Sequence, residues 1–512
     1  MALSRKIKNI DELAIIIQKL KNQKDKKIVL CHGVFDLVHP GHIRHFQAAK
    51  ALGDILIVTI TADKYVNKGP GRPVFTQELR AESTAALECV DYVAVNHALN
   101  AVELIKKLKP DLYVKDKEYA DAVNDETRGI SLEREAIELV GGAIHFTEEI
   151  TFSSSSLLNE YFGIYSEAAH DFLKNFRRRH SAEEVIEKMK NLKNLRALVI
   201  GETILDVYAF VSPMLGKPPK GNHVAMKFIS EEIHAGGIVA CANHLANFCG
   251  EIDLMTAVGD DGKEEFIRSH LKPNINPHLF KRDGAPTIIK KRFVDNAFFN
   301  KLFETYTIDD RPSPELENAL KPNLESAILS GNYDLILVLD YGHGLMTPSL
   351  IKLICGQKNF LAVNAQTNTA NMGFNPITKY PRANYFCLDD RELRLAFQDN
   401  SSAIETLTEN LAAKVSLPGG VAVTLGHLGS MTYDAKSHEF YEAPVLSQKI
   451  VDTTGAGDAF LALTAPCVAA GFPMDLVAFI GNAAGAMAVG FLGNRSSIEE
   501  VPFFKFITAL LK

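Results

Sequence analysis

The sequence predicts two α/β domains joined by a helical segment, and three observations lead to this prediction. At 512 residues the chain is too long for one compact core. In its first third, short apolar runs alternate with stretches of helical periodicity, which is typical of a parallel sheet covered by helices. A second pattern of the same kind begins at Leu195, after a polar, helix-prone stretch. We therefore expect domains at 25–162 and 193–512, with the linker at 163–192.

Bulk composition narrows the functional classes. The formal net charge is −7, and hydrophobic and charged residues make up 46% and 23% of the chain, as in an ordinary soluble globular protein. This balance gives no indication of a nucleic-acid partner. The seven cysteines form no Cys-x-x-Cys pair and are odd in number, which predicts a reducing cytoplasm rather than a disulfide framework.

Two stretches could be mistaken for targeting or membrane segments. The first residues, Met1 to Ser4, lead into a charged helix-like segment rather than the apolar core of a signal peptide. The apolar stretch from Ala459 to Gly493 is interrupted at 471–475, leaving runs shorter than the roughly 20 residues that cross a bilayer. We expect two buried helices there and no membrane partner.

Apolar periodicity predicts the elements of both domains. In the first domain, strands are expected at Ile28–Cys31, 54–60, Tyr92–Val95, Leu112–Val114 and Ala143–Phe146. Helices are expected between them, near 41–51, 76–88, 100–108 and 131–140. In the second domain, strands are expected at Ala197–Gly201, Asp334–Asp340, Phe360–Val363 and Gly420–Thr424.

The segment Cys31-His32-Gly33-Val34-Phe35-Asp36-Leu37-Val38-His39-Pro40-Gly41-His42 follows the first strand and opens a helix. In open α/β sheets ligands lie beyond the carboxyl ends of strands, and a helix start offers N–H groups to an anion. His39 and His42 can both donate to phosphate oxygens and stabilise charge at phosphorus. Zinc binding is an alternative, although it needs a third ligand and usually a His-x-x-x-His spacing. A structural role for both histidines is another.

These residues resemble the His-x-Gly-His signature of the cytidylyltransferase-like nucleotidyltransferases. Downstream, the segments at 68–74, 78–80 and 109–115 resemble the adenylyltransferase half of bacterial ADP-heptose synthases. The resemblance implies a Rossmann-like domain in which His39 and His42 hold the nucleotide phosphates. The other implied nucleotide- or phosphate-binding residues are Gly33, Phe35, Gly41, Lys68, Arg72, Arg80 and Lys115.

The hydroxyl-rich segment Thr151-Phe152-Ser153-Ser154-Ser155-Ser156 resembles that family's phosphate-contacting helix start, which adds Ser153, Ser154 and Ser155. A helix needs only one of these hydroxyls as a cap, so the row favours an anion site. The implied reaction is in-line attack of a phosphate oxygen on the α-phosphorus of a nucleoside triphosphate, with Mg²⁺ and loss of pyrophosphate. Positioning and electrostatics would supply most of the catalysis.

The strongest motif of the chain is Val451-Asp452-Thr453-Thr454-Gly455-Ala456-Gly457-Asp458-Ala459-Phe460. Gly455-Ala456-Gly457, ahead of a helix, presents consecutive N–H groups to an anion. Asp458 can accept the proton of an alcohol that attacks a γ-phosphate. The alternative is that Asp458 is only a helix cap, worth about 1 kcal/mol, but a cap does not require Gly-Ala-Gly before it.

This motif resembles the signature of the ribokinase-like (phosphofructokinase-B) sugar kinases, and the similarity covers most of residues 195–500. It implies a ribokinase-like α/β domain with a small β lid and with Asp458 as general base. On the nucleotide side it implies Thr424, Gly426, Gly429, Thr454, Gly455, Ala456, Gly457 and Asn482. On the acceptor side it implies Asp206, Gly236, Gly237 and Lys290.

Three departures from the kinase pattern predict an altered acceptor pocket. The usual Asn after Gly-Gly-Ala-Ala is Ala240, and Asn243 is the candidate to replace it. The usual Asp-Pro-Lys is Asn364-Ala365-Gln366. The Asn-x-x-Glu motif has Asp in place of Asn, which makes Asp389 and Glu392 the candidate Mg²⁺ ligands.

The joining of these two domains resembles the ADP-heptose synthases of lipopolysaccharide biosynthesis, in which the kinase comes first; here it comes second. We expect an ATP-dependent carbohydrate kinase and nucleotidyltransferase that makes a nucleoside-diphosphate sugar, with ADP-heptose as the leading product. One alternative keeps both chemistries but uses another sugar or a polyol, linked to ADP or CDP. The other is a nucleotide-binding regulatory protein with an inactive kinase half. The resemblance also implies a homodimer.

Overall fold

The computed structural model describes residues 3–24, 26–117, 129–147, 165–214, 224–447 and 450–512. They fall into two compact units. The first comprises Met1–Ala182 together with Val501–Lys512, and the second comprises Glu183–Glu500. The last helix of the chain thus belongs to the first unit, although it follows the second in sequence.

The first unit alternates strands and helices. Its strands are β1 (Ile28–Gly33), β2 (Ile55–Thr61), β3 (Tyr92–Asn96), β4 (Leu112–Asp116) and β5 (Ala143–Thr147). Its helices before residue 182 are α1 (Leu3–Lys6), α2 (Ile10–Lys24), α3 (Pro40–Ala51), α4 (Gln77–Ala85), α5 (Val102–Leu108), α6 (Gly129–Leu139) and α7 (Glu167–Phe176).

The sheet of this unit has the order β3-β2-β1-β4-β5, and all of its strand pairs are parallel. The central strand β1 shows why both faces of this sheet are buried. Ile28 and Leu30 enter one hydrophobic core, and Val29 and Cys31 enter the other, since side chains alternate between the faces of a sheet. Both faces are therefore buried under helices, as predicted, and the carboxyl end of β1 delivers the loop to α3.

The second unit is larger. Its helices are α8 (Ala182–Lys190), α9 (Ile238–Ala246), α10 (Glu264–Ser269), α11 (Pro314–Ser330), α12 (Pro348–Cys355), α13 (Asp390–Phe397), α14 (Ile404–Lys414), α15 (Ala456–Ala469) and α16 (Met474–Ala488). Its strands are β6 (Arg196–Gly201), β7 (Thr203–Pro213), β8 (Met226–Gly237), β9 (Glu251–Gly259), β10 (Ile275–Arg282), β11 (Ile288–Asp295), β12 (Lys301–Thr307), β13 (Leu335–Asp340), β14 (Leu361–Ala365), β15 (Tyr385–Asp389), β16 (Gly420–Thr424), β17 (Ser430–Asp434) and β18 (Glu439–Ala443).

Two sheets organise this unit. The main sheet has nine strands in the order β10-β9-β6-β13-β14-β15-β16-β17-β18, parallel up to β16 and antiparallel beyond it. A smaller sheet, β12-β11-β7-β8, corresponds to the β lid that the kinase resemblance implied. The fold class expected from the sequence is confirmed.

The apolar stretch beginning at Ala459 forms α15 and α16, both largely buried, as predicted. Among the residues that the structure describes, no helix combines the length and apolarity needed to cross a bilayer. The final helix, α17 (Glu500–Leu511), completes the first unit.

Candidate active sites

The start of α3 brings His39 and His42 together. His39 is the N-cap, with extended backbone, and Pro40 occupies the first helical turn, where its missing N–H leaves no hydrogen bond unmade. The two imidazole rings stack with centroids 4.0 Å apart and planes inclined by 23°. The predicted pair of phosphate-holding side chains is therefore arranged as one unit at the helix start.

Hydrogen bonds assign different tautomers to the two rings. The N–H of Gly41 donates to Nδ1 of His39 at 3.1 Å, so this nitrogen carries no hydrogen and Nε2 of the neutral ring does. Nδ1 of His42 lies 3.1 Å from the carbonyl oxygen of Leu37, which can only accept, so Nδ1 carries the hydrogen. When uncharged, His39 thus presents a donor at Nε2, whereas His42 presents an acceptor.

Burial favours the uncharged form of both rings. It lowers the pKa of His39. For His42, burial, followed by the neighbouring His39 and Lys68, lowers the pKa to about 3. Their neighbour His45 is also buried, and its Nδ1 lies 2.8 Å from the hydroxyl of Thr147, which makes it part of the packing.

The loop before α3 packs against the ring of His42. A Cβ on Gly33 would lie 2.8 Å from the ring of Phe35, so only glycine permits the Phe35 ring to occupy this place. Phe35 itself has a positive φ of 48°, and its ring meets the His42 ring edge-on at 5.2 Å. Gly33, Phe35 and the donor Gly41 thus shape the site through packing and backbone contacts.

Asp36 ties the 72–75 segment to this loop. Its carboxylate accepts from the N–H groups of Val74 at 2.8 Å and Phe75 at 3.1 Å. It also pairs with Arg72 at 3.3 Å, and the side chains of Arg72 and Asp36 are 2% and 0% exposed. Arg72, a predicted phosphate ligand, is therefore fixed beside the site by a buried ion pair.

Arg80, a predicted phosphate ligand, also has a structural role. Its fully buried guanidinium donates to the carbonyl oxygens of Val34, Thr61 and Phe75 and pairs with Asp63 at 2.5 Å. These bonds use four of the five N–H groups of the guanidinium, so Arg80 holds the loop, and its phosphate contact stays a prediction.

Two lysines predicted to bind phosphate lie in different elements: Lys115 is near the end of β4, and Lys68 is in the loop between β2 and α4. Lys115 donates to the carbonyl oxygen of His32 at 3.2 Å and lies 3.3 Å from Glu133. Lys68 is half-buried, and burial followed by the charge of Arg72 lowers its pKa to about 8. The predicted phosphate contacts Ser153, Ser154 and Ser155 lie outside the described residues.

In the second unit, Asp458 lies in the first turn of α15. Gly455 is the N-cap, with φ of 83°, and a Cβ there would lie 2.3 Å from Asn494. A Cβ on Gly457 would meet no atom within 4 Å, so there is space beside Gly457 at this turn. This is the arrangement expected of a backbone anion site.

Asp458 is buried, and two side chains contact or approach its carboxylate. Nε2 of Gln366 donates to Oδ1 at 2.8 Å. The Tyr341 hydroxyl is buried close by and makes no hydrogen bond of good geometry. Burial raises the pKa of Asp458 to about 6, with a further contribution from Asp206, while Tyr341 and Gln366 act in the opposite direction.

The acceptor side is built around Asp206 on β7. Arg292 donates to one oxygen at 2.5 Å and Asn494 to the other at 2.8 Å. A Cβ on Gly236 would lie 2.0 Å from Asp206 Oδ2, so glycine is required for the close approach of β8. Lys290 is also buried here, and its pKa is lowered by burial against the opposing charge of Asp206.

Two predicted acceptor residues have other contacts. Gly237 has φ of 57° and lies against the backbone of Glu202, so it turns the chain from β8 into α9. Asn243 donates from Nδ2 to the carbonyl oxygen of His270 at 2.8 Å, and its Oδ1 accepts from the N–H of Lys272 at 3.0 Å. The structure therefore does not bring Asn243 to the group around Asp458.

The residues predicted to bind the nucleotide in the second unit make contacts with neighbouring parts of the chain. Thr454 accepts from Lys301 at 2.6 Å, and Lys301 also pairs with Asp452 at 2.6 Å. Thr424 ends β16, and the turn after it contains Gly426 and Gly429, with φ of 59° and 108°. Asn482 is buried and donates to the Ser430 hydroxyl at 2.6 Å, which fastens α16 to β17.

Asp389 and Glu392, the candidate Mg²⁺ ligands, form a capping box at the start of α13. Oδ1 of Asp389 accepts from the N–H of Glu392, while the two oxygens of Glu392 accept from the N–H groups of Asp389 and Thr367. Burial, and then Asp389, raises the pKa of Glu392 to about 8. Among the described residues, no group of three His, Cys, Asp or Glu side chains could hold a metal ion.

Sequence reasoning missed three of the contacts at the second site. Gln366 was noticed only as a departure from Asp-Pro-Lys, and its bond to Asp458 joins residues 92 positions apart. Arg292 and Asn494 lie in stretches without a recognisable motif. No signal in one sequence could have identified them, because their roles depend on the packing of the lid sheet.

Comparison with known proteins finds a family match in each of the two regions of the chain. Residues 30–161 match the cytidylyltransferase-like family, and residues 194–501 match the pfkB family carbohydrate kinase. Both resemblances stated from the sequence are thereby confirmed.

Relatives of the first region carry the name "Bifunctional protein HldE". The protein from Citrifermentans bemidjiense is 36% identical over 157 residues, which is 30% of this chain and 31% of the relative. The protein from Campylobacter jejuni (strain RM1221) is 44% identical over 123 residues, 24% of this chain and 26% of the relative. The matched segment thus spans less than a third of each relative.

Solved structures resemble the kinase region. Phosphofructokinase-2 from Escherichia coli in complex with potassium is 15% identical, with a TM-score of 0.49, covering 62% of this chain and all of that structure. Ribokinase from Thermotoga maritima is 19% identical, with a TM-score of 0.46, covering 61% of this chain and 99% of that structure.

Proposed function

Because the chain belongs to the pfkB family of carbohydrate kinases and also contains a cytidylyltransferase-like region, we propose that it is a bifunctional enzyme making a nucleoside-diphosphate sugar. The observation that carries the proposal is the pair of helix starts: His39 and His42 on α3, and Asp458 behind Gly455 on α15. The resemblance stated above makes ADP-heptose the leading product, with heptose 7-phosphate and heptose 1-phosphate as the two acceptors.

In the kinase unit, Asp458 takes the proton of the acceptor hydroxyl as that oxygen attacks the γ-phosphorus of ATP. Gln366 occupies Oδ1, so Oδ2 is the oxygen that receives the proton. The N–H groups at the start of α15 stabilise the charge that develops on the transferred phosphoryl group.

In the nucleotidyltransferase unit, a phosphate oxygen of the sugar phosphate attacks the α-phosphorus of the triphosphate, and pyrophosphate leaves. His39 donates from Nε2 to a phosphate oxygen without a change of protonation. His42 must first gain a proton at Nε2, because its neutral tautomer offers only a lone pair there.

The capping box commits three of the four oxygens of Asp389 and Glu392 to backbone N–H groups. These residues therefore do not form a ready metal cage, and we propose that Mg²⁺ enters as its complex with the triphosphate.

A substrate panel tests the proposal. The full chain is incubated with ATP or CTP and with heptose 7-phosphate, heptose 1-phosphate, other sugar phosphates, sugars and polyol phosphates. ADP formation reports the kinase, and pyrophosphate formation reports the nucleotidyltransferase. We expect ADP with heptose 7-phosphate and pyrophosphate with heptose 1-phosphate plus ATP. Turnover of another acceptor alone would reassign the sugar, and binding of ATP without any turnover would favour the regulatory alternative.

The cytoplasmic location and the homodimer stay predictions. Cell fractionation checks the first. Light scattering of the purified chain checks the second, since a monomer would give a mass near 56.3 kDa.

A further inference from the structure

A lysine at the edge of the lid sheet bonds this sheet to the turn before α15. Lys301 is the first residue of β12, an edge strand of the lid sheet. Its ammonium donates to Oδ1 of Asp452 and to the hydroxyl oxygen of Thr454, in both cases at 2.6 Å. Thr454 directly precedes Gly455, the N-cap of α15. The lid sheet is therefore bonded to the turn whose N–H groups are proposed to stabilise the transferred phosphoryl group.

Asp452 joins several elements at this turn. Its side chain is only 4% exposed. Oδ1 also accepts from the N–H of Thr454 at 3.1 Å and from the Thr454 hydroxyl at 3.0 Å. Oδ2 accepts from the hydroxyl of Tyr208 on β7 at 2.8 Å and from the N–H of Gly493 at 3.1 Å. Strands β7 and β12, the turn before α15 and the loop at Gly493 thus meet at one carboxylate.

Lys301 compensates the charge of this buried carboxylate. Burial acts to raise the pKa of Asp452, but the bonds from Lys301 and from the N–H of Thr454 outweigh burial and hold the pKa below its usual value. Removal of one partner of a buried ion pair leaves the charge of the other uncompensated. Loss of the ammonium would therefore disturb Asp452 and free the turn from β12.

The loop at Gly493 leads from Asp452 to the acceptor side. Asn494, the next residue, donates to Oδ2 of Asp206 at 2.8 Å. A Cβ on Gly455 would lie 2.3 Å from Oδ1 of Asn494, so this loop packs closely on the turn. The turn before α15 is thus placed by two groups of contacts, one from the lid sheet and one from the loop that holds Asp206.

We propose that Lys301 is a positioning residue of the kinase site, which acts through Asp452 and Thr454 on the N–H groups at the start of α15. This inference rests on the proposed kinase activity. Because these N–H groups stabilise charge that develops in the transition state, loss of Lys301 should lower kcat. The KM values for ATP and the acceptor should stay nearly unchanged, since the lysine itself contacts neither substrate.

The test compares Lys301→Met with Lys291→Met in the full chain. Lys291 is the matched control, because it is another lid lysine in an ion pair, with Glu231 of β8, and its side chain is 34% exposed against 40% for Lys301. ADP formation is measured with ATP and the acceptors of the substrate panel, heptose 7-phosphate first. We expect kcat to fall about tenfold in Lys301→Met and to change less than about twofold in Lys291→Met.

Two further variants distinguish positioning from general support of the fold. Lys301→Arg should recover part of the lost kcat, since a guanidinium can donate to both Asp452 and Thr454. In an Asp452→Asn background, Lys301→Met should lower kcat by less than about a further twofold, because both substitutions break the same ion pair. If Asp452→Asn fails to fold, the Lys301 variants decide.

The results that would overturn the inference differ from one another. If Lys301→Met keeps the kcat of its control, the lysine does not position the turn, although the kinase activity stands. If KM for ATP rises about tenfold at unchanged kcat, Lys301 binds the nucleotide directly and the positioning role is wrong. If the unaltered chain forms no ADP with any acceptor of the panel, the proposed kinase activity fails and this inference fails with it.

Discussion

Both candidate sites lie where a helix begins after a glycine-bearing loop, but the side chains at the two starts have opposite chemistry. At α3 stand two imidazoles whose uncharged form is favoured by burial, which lowers the pKa of His39 and brings that of His42 to about 3. At α15 stands a carboxyl group whose pKa burial raises to about 6, so above that pH it is a carboxylate that can accept a proton. The helix start favours an anion in both cases, and the neighbouring side chain decides whether the site holds a phosphate or removes a proton.

Asp458→Asn should produce the largest effect and separate the two reactions. The amide keeps the shape of the side chain but cannot accept the proton of the acceptor hydroxyl. We expect ADP formation to fall roughly 10³-fold, in the range of a lost general base. Pyrophosphate formation should stay unchanged in the same preparation. Equal loss of both activities would instead indicate a folding defect, and retained ADP formation would remove Asp458 from the role of base.

His42→Ala should lower kcat/KM of pyrophosphate release about 100-fold, as expected for one lost donor to a charged transition state. His42→Gln should recover part of this loss, because an amide N–H can replace Nε2–H. The two variants are compared at several pH values.

The tautomer of His42 determines how KM for the triphosphate should change with pH. Neutral His42 presents a lone pair, so binding of a phosphate requires a proton, and KM for the triphosphate should rise with pH above about 3, the pKa of His42 in the free protein. In His42→Gln this slope should vanish, since the amide donates at every pH. His39→Gln is the matched control and should keep the slope, because neutral His39 already donates. A slope that survives in His42→Gln would contradict the tautomer assignment.

The sequence was sufficient for the elements and for motifs that are continuous in the chain. The alternation of Ile28, Val29, Leu30 and Cys31 between two cores is visible as an unbroken apolar run, so the central strand was predictable. Contacts between distant residues were not predictable, because residue type alone does not reveal a partner. Arg80 is the instructive example: a cation after a phosphate motif suggested a ligand, but most of its donors serve backbone carbonyl groups.

Substitution of Gln366 should change the pKa of Asp458 and so tests its role as the base. In the unaltered chain, kcat/KM of ADP formation should rise with pH through about 6, because only the carboxylate accepts the proton. The Gln366 amide donates to Oδ1 and so stabilises the charged form. Gln366→Ala should shift this limb to higher pH and lower activity at pH 6 about tenfold.

Gln366→Lys is the opposite substitution, since a cation beside Asp458 stabilises the carboxylate further and should shift the limb to lower pH. Comparison of the two variants distinguishes an effect of Gln366 on the pKa of Asp458 from a purely structural role. If both variants lose activity without any change in the pH of the limb, Gln366 supports the structure but does not tune the base.

The smallest effect is expected at Asn243. Its side chain bonds to the backbone at His270 and Lys272, so Asn243→Ala should change KM for the acceptor less than about twofold while lowering stability by about 1 kcal/mol, measured by denaturant unfolding. Asn494→Ala is the comparison, because Asn494 donates to Asp206 at 2.8 Å. Its removal should raise KM for the acceptor several-fold.

This contrast decides how the second unit compensates for Ala240. A large effect at Asn494 with a small one at Asn243 means that the loop before α17, and not the next turn of α9, supplies the missing amide. Recognition of the acceptor would then come from Asp206 held between Arg292 and Asn494. The reverse result would return the role to α9 and require Asn243 to leave its bonds to the backbone when the acceptor binds.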